Sequence, residues 1–352
     1  MPPRSLTAGA LLLASPAPTK RPMPEIRRRD VFSLVAGSLL APRLARAQQP
    51  GGKLPRVGYL WHAGKPEEEQ PYYGAVNDEF QKLGYIDGRT IILEHRFPGE
   101  DLERFKSMAA DLVSLQPDVL MGGAVTTPYL RQATSTIPIV FMNVPDPVGL
   151  KLVESLSHPG GNATGLVNFG RDLVGKRLQL LQEVVPGLRN VALLVNESQP
   201  SGKIYIDEGS AVAAELGLRL RVFDVRRTEA LANAFDDMNK EQMQALITAS
   251  GGSLFQWKEM VARLARDHQL PYCAFARETF DVGALMGYGA DQTQLCRDAV
   301  HYVDRILKGA TPADLPVQQP TKLQLLINLK VAQAIQVTIP ASLLATADEV
   351  IE

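Results

Sequence analysis

Short apolar segments alternate with amphipathic segments along most of this chain. The apolar segments, such as Arg56–Trp61, Ile137–Met142 and Val191–Val195, carry few polar residues, which is typical of buried parallel strands. The intervening segments have helical spacing, as in Leu102–Leu115 and Ile204–Leu216. Strands that alternate with helices predict an α/β fold with parallel sheets and right-handed crossovers.

The alternation occurs twice, which predicts two similar, doubly wound lobes. The first series ends at the turn-rich residues 158–161, and Thr164–Phe169 begins the second. After the helical segment Leu295–Leu307, only a Pro-rich stretch, a short strand and the helix Leu329–Ile335 remain. These pieces are too few for a third domain and must complete the earlier lobes. The chain therefore crosses between the lobes more than once, and we expect a hinge of several strands.

The stretch from Pro117 to Pro147 is the first candidate for a ligand site. It has the pattern strand, loop, helix, strand and loop, with Thr127 as the expected N-cap and Pro128 as the first helical residue. Open α/β sheets bind ligands in the loops at the carboxyl ends of their strands. The helix start would attract an anionic group, although Thr127 could equally serve only as a cap. The segment Val148–Leu156 is predicted to form a further helix.

The first 47 residues have the three-part organisation of an export signal. Arginines 27–29 precede the apolar run Val31–Ala41, and Ala45 and Ala47 fit a cleavage site before Gln48. The arginine pair resembles a twin-arginine signal, but Val31 stands where that motif prefers Phe, so the general secretory route stays open. The alternative is a disordered or membrane-tethered N-terminus. A true start at Met23 is also compatible with the sequence. We expect a periplasmic protein.

Composition limits the partners of the exported chain. Removing residues 1–47 leaves 29 basic and 36 acidic residues, a net charge of −7, which argues against a nucleic-acid partner. The mature chain has two cysteines, Cys273 in a predicted strand and Cys296 in a predicted helix. We expect two unpaired thiols. No sustained heptad is present, so we expect a monomer.

The sequence motifs do not favour catalysis. The segment Gly170–Lys176 nearly matches a phosphate-binding loop, but Arg177 stands where the motif needs Ser or Thr. We therefore expect a simple loop that opens a helix. No G-x-G-x-x-G follows a strand, no histidine has a partner at metal-ligand spacing, and G-x-S-x-G is absent. We expect no cofactor, no metal and no enzymatic activity.

Three segments carry a family resemblance that covers nearly all of residues 54–352. They are DPVGLKLVESLSHPGGNATGL from Asp146, LMGYGAD from Leu285, and ILKGATPADLPVQQPTKLQLLINLK from Ile306. The chain resembles the substrate-binding proteins of bacterial ABC transporters, in the group that includes tryptophan-binding members. The resemblance implies a periplasmic-binding fold of the first type, with two doubly wound parallel-sheet lobes and a three-strand hinge.

The resemblance also implies domain boundaries and a function. The hinge crossings are expected near Val167, Ala290 and Pro316. The protein would bind a small solute in the cleft, close around it and deliver it to a permease in the inner membrane. An exported ligand sensor and an exported α/β enzyme are the alternatives. The expected lobes are residues 54–166 with 291–315, and residues 167–290 with 316–345.

The candidate ligand-binding residues lie in loops at the carboxyl ends of predicted strands. From the first lobe they are Trp61, His62, Tyr73, Thr126, Thr127, Asn143 and Asp146. From the second lobe and hinge they are Asn196, Ser198, Ser250, Phe275, Tyr288 and Asp291.

These candidates have expected roles, each with a structural alternative. An aromatic wall comes from Trp61 or Tyr73, which could instead pack within the lobe. Asp146 and Asp291 could pair with an amine or act as cap or loop residues. A small carboxylated or aromatic compound is the expected ligand. Where the family often has an acidic or amide group, residues 250–253 are Ser-Gly-Gly-Ser, which puts an amino-acid ligand in doubt.

Overall fold

The computed structural model describes residues 53–170, 172–199 and 202–352. The predictions on the export signal, on a start at Met23 and on cleavage before Gln48 lie outside these residues. Within the described ranges, no helix is both long and apolar enough to cross a membrane.

The described part of the first lobe is built on a parallel sheet in the order β2-β1-β3-β4-β5. The strands are β1 (Arg56–Leu60), β2 (Ile92–Arg96), β3 (Val119–Gly122), β4 (Ile139–Val144) and β5 (Ala163–Val167). The helices are α1 (Tyr72–Lys82), α2 (Leu102–Ser114) and α3 (Thr127–Ala133), with a 3₁₀ turn at Pro66–Glu69. Alternate residues of the central strands, such as Met121 and Leu120, belong to two separate apolar clusters. Both faces of the sheet are therefore covered, as the apolar runs predicted.

The second lobe has a sheet in the order β12-β11-β10-β9-β8-β6-β7. Its strands are β6 (Asn190–Val195), β7 (Arg219–Asp224), β8 (Ala245–Thr248), β9 (Tyr272–Ala274), β10 (Met286–Ala290), β11 (Leu323–Asn328) and β12 (Glu349–Ile351). Its helices are α4 (Val174–Val184), α5 (Gly202–Glu215), α6 (Leu231–Lys240), α7 (Gly252–Gln256), α8 (Lys258–Asp267), α9 (Arg277–Phe280), α11 (Leu329–Ala334) and α12 (Ala341–Thr346). A 3₁₀ turn, Thr228–Ala230, precedes α6. The apolar residues of this lobe form one large cluster around the sheet.

The last two strands differ from the parallel arrangement that the sequence predicted. Strand β11 pairs antiparallel with β10, and β12 pairs parallel with β11. The chain leaves the second lobe at the end of β10 and returns at the start of β11, and Ala290 pairs with Leu323. Because exit and return occur at the same end of the sheet, β11 must run in the opposite direction.

Helix α10 (Gln292–Leu307) packs on the first lobe although it follows a strand of the second. It contacts α1, β4 and β5, and Leu295, Ala299 and Val303 join the apolar cluster that holds Val57 and Val140. The chain therefore crosses from β5 to α4, from β10 to α10, and from the 3₁₀ turn Pro312–Asp314 to β11. The predicted two-lobed α/β fold with three crossings is confirmed.

The first and third crossings lie side by side. The amide of Val167 donates to the carbonyl of Gln318 at 3.0 Å, and the amide of Gln318 donates to the carbonyl of Gly165 at 2.9 Å. Short parallel segments of this kind can twist together when the lobes rotate.

Some predicted elements were wrong in detail. Residues 148–156 form turns and not a helix, because the Asp146 carboxylate accepts the amide of Gly149 and Lys151 adopts a left-handed φ of 55°. The helix over residues 329–335 is not the last element, since α12 and β12 follow it.

Candidate functional site

A cavity lies between the lobes, where the carboxyl ends of strands from both sheets meet. Trp61 follows β1, Gly123 follows β3 and Asn143 lies in β4, while Ser250 follows β8 and Phe275 follows β9; all five line the cavity. About 80 Å³ is open to the centres of water molecules, which corresponds to roughly six water positions. A small solute fits this space.

Aromatic side chains form much of the cavity wall. They are Tyr59, Trp61, Tyr72, Phe255 and Phe275. The rings of Tyr72 and Phe255, which come from different lobes, stack with centroids 5.1 Å apart. The indole nitrogen of Trp61 donates to Nδ1 of His95 at 3.0 Å, and burial lowers the pKa of His95 to about 4. A neutral His95 can accept this bond, so the indole is held in a fixed orientation.

A hydrogen-bonded group, which we call the rim cluster, joins the lobes at one side of the cavity. It consists of His62, Glu69 and Glu100 of the first lobe and Gln199 of the second. His62 Nδ1 lies 2.8 Å from Glu100 Oε1 and its Nε2 lies 3.2 Å from Glu69 Oε2. The amide of Gln199 donates to Glu100 Oε2 at 2.8 Å. The contacts among His62, Glu69 and Glu100 are therefore joined to the second lobe by the hydrogen bond from Gln199.

The rim cluster holds His62 in its charged form. Burial lowers the pKa of His62, but Glu69 and Glu100 raise it more strongly, so that it lies at about 9 even with Lys258 nearby. Burial raises the pKa of Glu69, and His62 and the backbone amides of residues 62 and 63 oppose that rise. The imidazolium therefore lies between the side chains of Glu69 and Glu100, which favour its charged form.

Two glycines allow the second lobe to approach the rim cluster closely. A Cβ on Gly252 would lie 2.7 Å from Nδ1 of His62 and would also collide with Oε1 of Glu100. A Cβ on Gly251 would collide with the amide oxygen of Gln199. The Gly251-Gly252 pair at the start of α7 therefore leaves room for His62, Glu100 and Gln199 to meet.

A second polar group, which we call the floor cluster, lies near the start of α10. Its members are Tyr72, Asn143, Glu278, Gln292, Thr293 and Cys296. The Tyr72 hydroxyl donates to Gln292 Oε1 at 3.2 Å. The Asn143 amide donates to the Gln292 carbonyl at 3.4 Å and to Cys296 Sγ at 3.3 Å. The Thr293 hydroxyl donates to Glu278 Oε1 at 2.6 Å.

The floor cluster is strongly shielded from water. Burial raises the pKa of Glu278, and the Thr293 hydroxyl, which donates to Oε1, opposes that rise. Burial, and then the charge of Glu278, raise the pKa of the Cys296 thiol well above its usual range. Cys296 is thus a neutral thiol and not a nucleophile. Both cysteines are free, as predicted, and both are buried.

The loop before α3 differs from its predicted capping pattern. Thr126, and not Thr127, is the N-cap, and it makes no side-chain bond to the helix. Its hydroxyl instead accepts the amide of Gly123 at 2.9 Å, and the Thr127 hydroxyl donates to the Gly123 carbonyl at 2.7 Å. Both hydroxyls therefore fix the loop.

The structure brings six of the sequence-predicted site residues to the cavity wall. They are Trp61, His62, Thr126, Asn143, Ser250 and Phe275. Each of them lies at or just beyond the carboxyl end of a strand, which is the position that the fold class favours for ligand contacts.

Three further candidates lie behind the wall. Tyr73 packs against Trp61, with ring centroids 5.5 Å apart, and supports the indole from outside the cavity. Thr127 is fully buried in the loop before α3. Tyr288 packs against the core of the second lobe, and its carbonyl accepts the guanidinium of Arg177 at 2.9 Å.

The remaining four candidates organise local loops. Asn196 accepts both the amide and the hydroxyl of Ser198 on Oδ1. Asp146 accepts the amide of Gly149. Asp291 caps α10 by accepting the amide of Gln294 at 2.8 Å. None of these four side chains is part of the described cavity wall.

Sequence reasoning missed several polar residues of the site. Glu69 lies in a 3₁₀ turn and Gln199 in a loop before α5, so neither directly follows a strand. Glu100 and Glu278 lie a few residues beyond β2 and β9, and Gln292 follows the second crossing. The positions of Glu100, Glu278 and Gln292 after strands could have been noticed, whereas those of Glu69 and Gln199 depend on packing.

The Gly170–Lys176 motif has a structural role. Helix α4 begins at Val174, and the buried Arg177 donates to the carbonyls of Gly170 and Tyr288. These carbonyls flank the first and second crossings, so Arg177 ties the two together. No group of three His, Cys, Asp or Glu residues in the described ranges could hold a metal ion.

A sequence profile described as "ABC transporter substrate binding protein" matches residues 68–351. A tyrosine-binding protein of Clostridioides difficile is 24% identical over 270 residues, which is 76% of each chain.

Two solved structures have the same architecture. A conserved domain protein from Vibrio cholerae is 26% identical with a TM-score of 0.78, over 85% of this chain and 100% of the other. A domain from Streptococcus pneumoniae in complex with L-tryptophan is 26% identical with a TM-score of 0.76, over the same shares of the two chains.

Proposed function

Because the chain belongs to the ABC transporter substrate binding protein family, we propose that it is the solute-binding component of an ABC uptake transporter. It captures a small organic solute between its lobes and presents the closed form to a permease in the inner membrane. The observation that carries this proposal is the cavity to which both lobes contribute aromatic and polar side chains. Nothing in that wall has the arrangement of a nucleophile activated by a base.

The character of the wall supports an aromatic solute. Flat rings from both lobes offer apolar faces, and Asn143, Asn168 and Gln292 add polar groups among them. The relatives named for tyrosine and solved with L-tryptophan agree with this class of ligand. We therefore infer that the solute carries an aromatic ring and is about the size of an amino acid.

The contacts between the lobes support binding by closure. The Gln199–Glu100 bond and the Tyr72–Phe255 stack both join groups from different lobes, so both must break when the cleft opens. A ligand that contacts both lobes shifts the equilibrium toward the closed form. The permease then distinguishes loaded from empty protein by the distance between the lobes.

Export is part of the proposal. Residues 1–47 direct the chain to the periplasm, and cleavage before Gln48 releases the mature protein. N-terminal sequencing of periplasmic protein should begin at Gln48. A start many residues away would contradict this step without affecting the binding proposal.

The binding function is tested with purified residues 48–352. We expect native mass spectrometry to detect a co-purified solute, and calorimetry to detect binding of L-tryptophan or L-tyrosine to the stripped protein. Solution X-ray scattering should show a smaller radius of gyration at saturation. The proposal would be refuted by protein that carries no solute, binds neither amino acid and keeps the same radius throughout.

A further inference from the structure

Two buried acceptor atoms in the floor cluster have no hydrogen-bond partner among the described residues. They are Asn143 Oδ1 and Glu278 Oε2. Such atoms are uncommon in folded proteins, because burying a polar group without a partner costs about 1–3 kcal/mol, and more for a charged group. These two acceptors of the floor cluster are therefore available to hydrogen-bond donors of a bound molecule.

The two acceptors come from different lobes and are held by the same turn of α10. Asn143 donates to the Gln292 carbonyl, and Glu278 accepts the hydroxyl of Thr293, the next residue. Asn143 and Gln292 line the cavity, as does Phe275, three residues before Glu278. Both side chains therefore bond to neighbouring residues at the start of α10, beside the part of the cavity wall that Asn143 and Gln292 form.

The donor that fits these acceptors is a cation. Glu278 is 8% exposed, and no Lys, Arg or His among the described residues forms an ion pair with it. A buried carboxylate needs a partner of opposite charge or must take up a proton. An ammonium group offers a positive charge and three N–H donors, enough for a carboxylate and an amide oxygen together.

We propose that Glu278 and Asn143 form the subsite for the ammonium group of the solute, so that the ligand is an aromatic amine such as an α-amino acid and not an aromatic acid alone. This inference rests on the proposed binding function and names its substrate class. The Ser-Gly-Gly-Ser loop after β8 gave no acidic group for an amine. Glu278, in α9 after the neighbouring strand β9, supplies one instead.

A comparison of Glu69 with Glu278 supports this assignment. Glu69 also lines the cavity, but its Oε1 accepts the amides of His62 and Ala63 at 2.8 and 2.7 Å, and its Oε2 faces the His62 ring. Its oxygens are already occupied. Of the three described glutamates in the two clusters, Glu69, Glu100 and Glu278, Glu278 is the one with a buried oxygen that has no hydrogen-bond partner.

The experiment is a calorimetric comparison of two ligand pairs on the mature protein. The pairs are L-tryptophan with indole-3-propionate, and L-tyrosine with 3-(4-hydroxyphenyl)propionate, so each pair differs only by the amine. For Glu278→Gln, which keeps the side-chain shape, we expect affinity for the amino acids to fall about 10- to 150-fold. Affinity for the amine-free analogues should stay within about threefold.

Two further variants complete the design. Asn143→Gly removes the amide oxygen and tolerates the left-handed φ of 55° at this position, so it should weaken amino-acid binding by a smaller factor. Glu103→Gln, on an exposed face of α2, is the matched control and should change nothing. Thermal unfolding of each variant verifies that it is folded.

The outcomes separate the two proposals. If Glu278→Gln weakens each amino acid and its amine-free analogue equally, or neither, Glu278 is a structural carboxylic acid and the ammonium subsite is wrong, while solute binding stands. If the wild-type protein binds the amine-free analogues more tightly than the amino acids, the substrate class is wrong. If it binds none of the four compounds and no solute co-purifies, both proposals fail together.

Discussion

The rim and floor clusters are both polar and both buried, yet they differ in whether their hydrogen bonds are complete. In the rim cluster, His62 lies between two carboxylates, and Glu100 also bonds to Gln199 of the other lobe. In the floor cluster, Asn143 and Glu278 each keep an acceptor without a partner among the described residues. The protein itself completes one cluster and leaves the other incomplete.

Because of this difference, closure of the lobes and recognition of the ligand can depend on different clusters. A complete network can hold the lobes together whatever the ligand is, because it contributes the same bonds each time. An incomplete network contributes its full energy only when a ligand supplies the missing donors. We therefore assign closure to the rim cluster and ligand selection to the floor cluster, and changes in the two should have different consequences.

The largest expected effect is on stability at alkaline pH. The folded-state pKa of His62 is raised from 6.5 to about 9, so its stabilising contribution is fully present below pH 6.5 and is lost as pH rises toward 9. The groups that face it are Glu69, Glu100 and Lys258. We expect the free energy of unfolding to fall by about 3 kcal/mol across that interval.

Denaturant titration at a series of pH values measures this loss. His62→Gln should be less stable at pH 6.5 and should lack most of the dependence between pH 6.5 and 9. His158→Gln, at an exposed position, is the matched control and should keep it. A wild-type profile that is flat over this interval would show that His62 is not charged in the rim cluster.

The next effect concerns close approach of the lobes. Gly252→Ala places a methyl group against His62 and Glu100, and relieving such a clash costs about 1–3 kcal/mol. We expect ligand affinity to fall about 5- to 150-fold. Gly64→Ala is the matched control, because a Cβ there meets its nearest neighbour at an ordinary 3.5 Å.

Calorimetry and solution scattering measure the outcome for both glycine variants. The radius of gyration of Gly252→Ala at saturation should stay larger than that of the wild type. Equal affinity and equal contraction in the two variants would mean that the closed, ligand-bound form does not contain this contact.

The smallest effect is expected from the bond between the lobes. Gln199→Ala removes the donor to Glu100, and we expect all bound solutes to lose affinity by the same factor, about three- to tenfold. Ser198→Ala, whose hydroxyl bonds to Asn196 within its own loop, should leave affinity unchanged. A loss in Gln199→Ala that depends on the ligand's amine would contradict the separation of closing from recognition.

The sequence was informative where local pattern decides structure. Alternating apolar and amphipathic segments predicted both lobes, and β6 ends at Val195, as the apolar run Val191–Val195 predicted. Trp61, Asn143 and Ser250 line the cavity because parallel strands place their carboxyl ends at one edge. These inferences require only residue order and the geometry of a parallel sheet.

The rest of the site depends on contacts between distant parts of the chain. Gln199 meets Glu100 across 99 positions, and Tyr72 meets Gln292 across 220. Residues 148–156 have helical composition, yet the Asp146 turn prevents the helix. Contacts between the lobes depend on how the two lobes meet. The spacing of apolar residues along the chain contains no information about that arrangement.

The central claim is that the floor cluster binds the amine of the solute, and a crystal structure of the closed complex tests it most directly. The ligand would be whichever amino acid calorimetry shows to bind most tightly. We predict its amine nitrogen at about 3 Å from both Glu278 Oε2 and Asn143 Oδ1, with the rim cluster intact. An amine placed at the rim, or a Glu278 carboxyl that makes no contact with the ligand, would contradict the account.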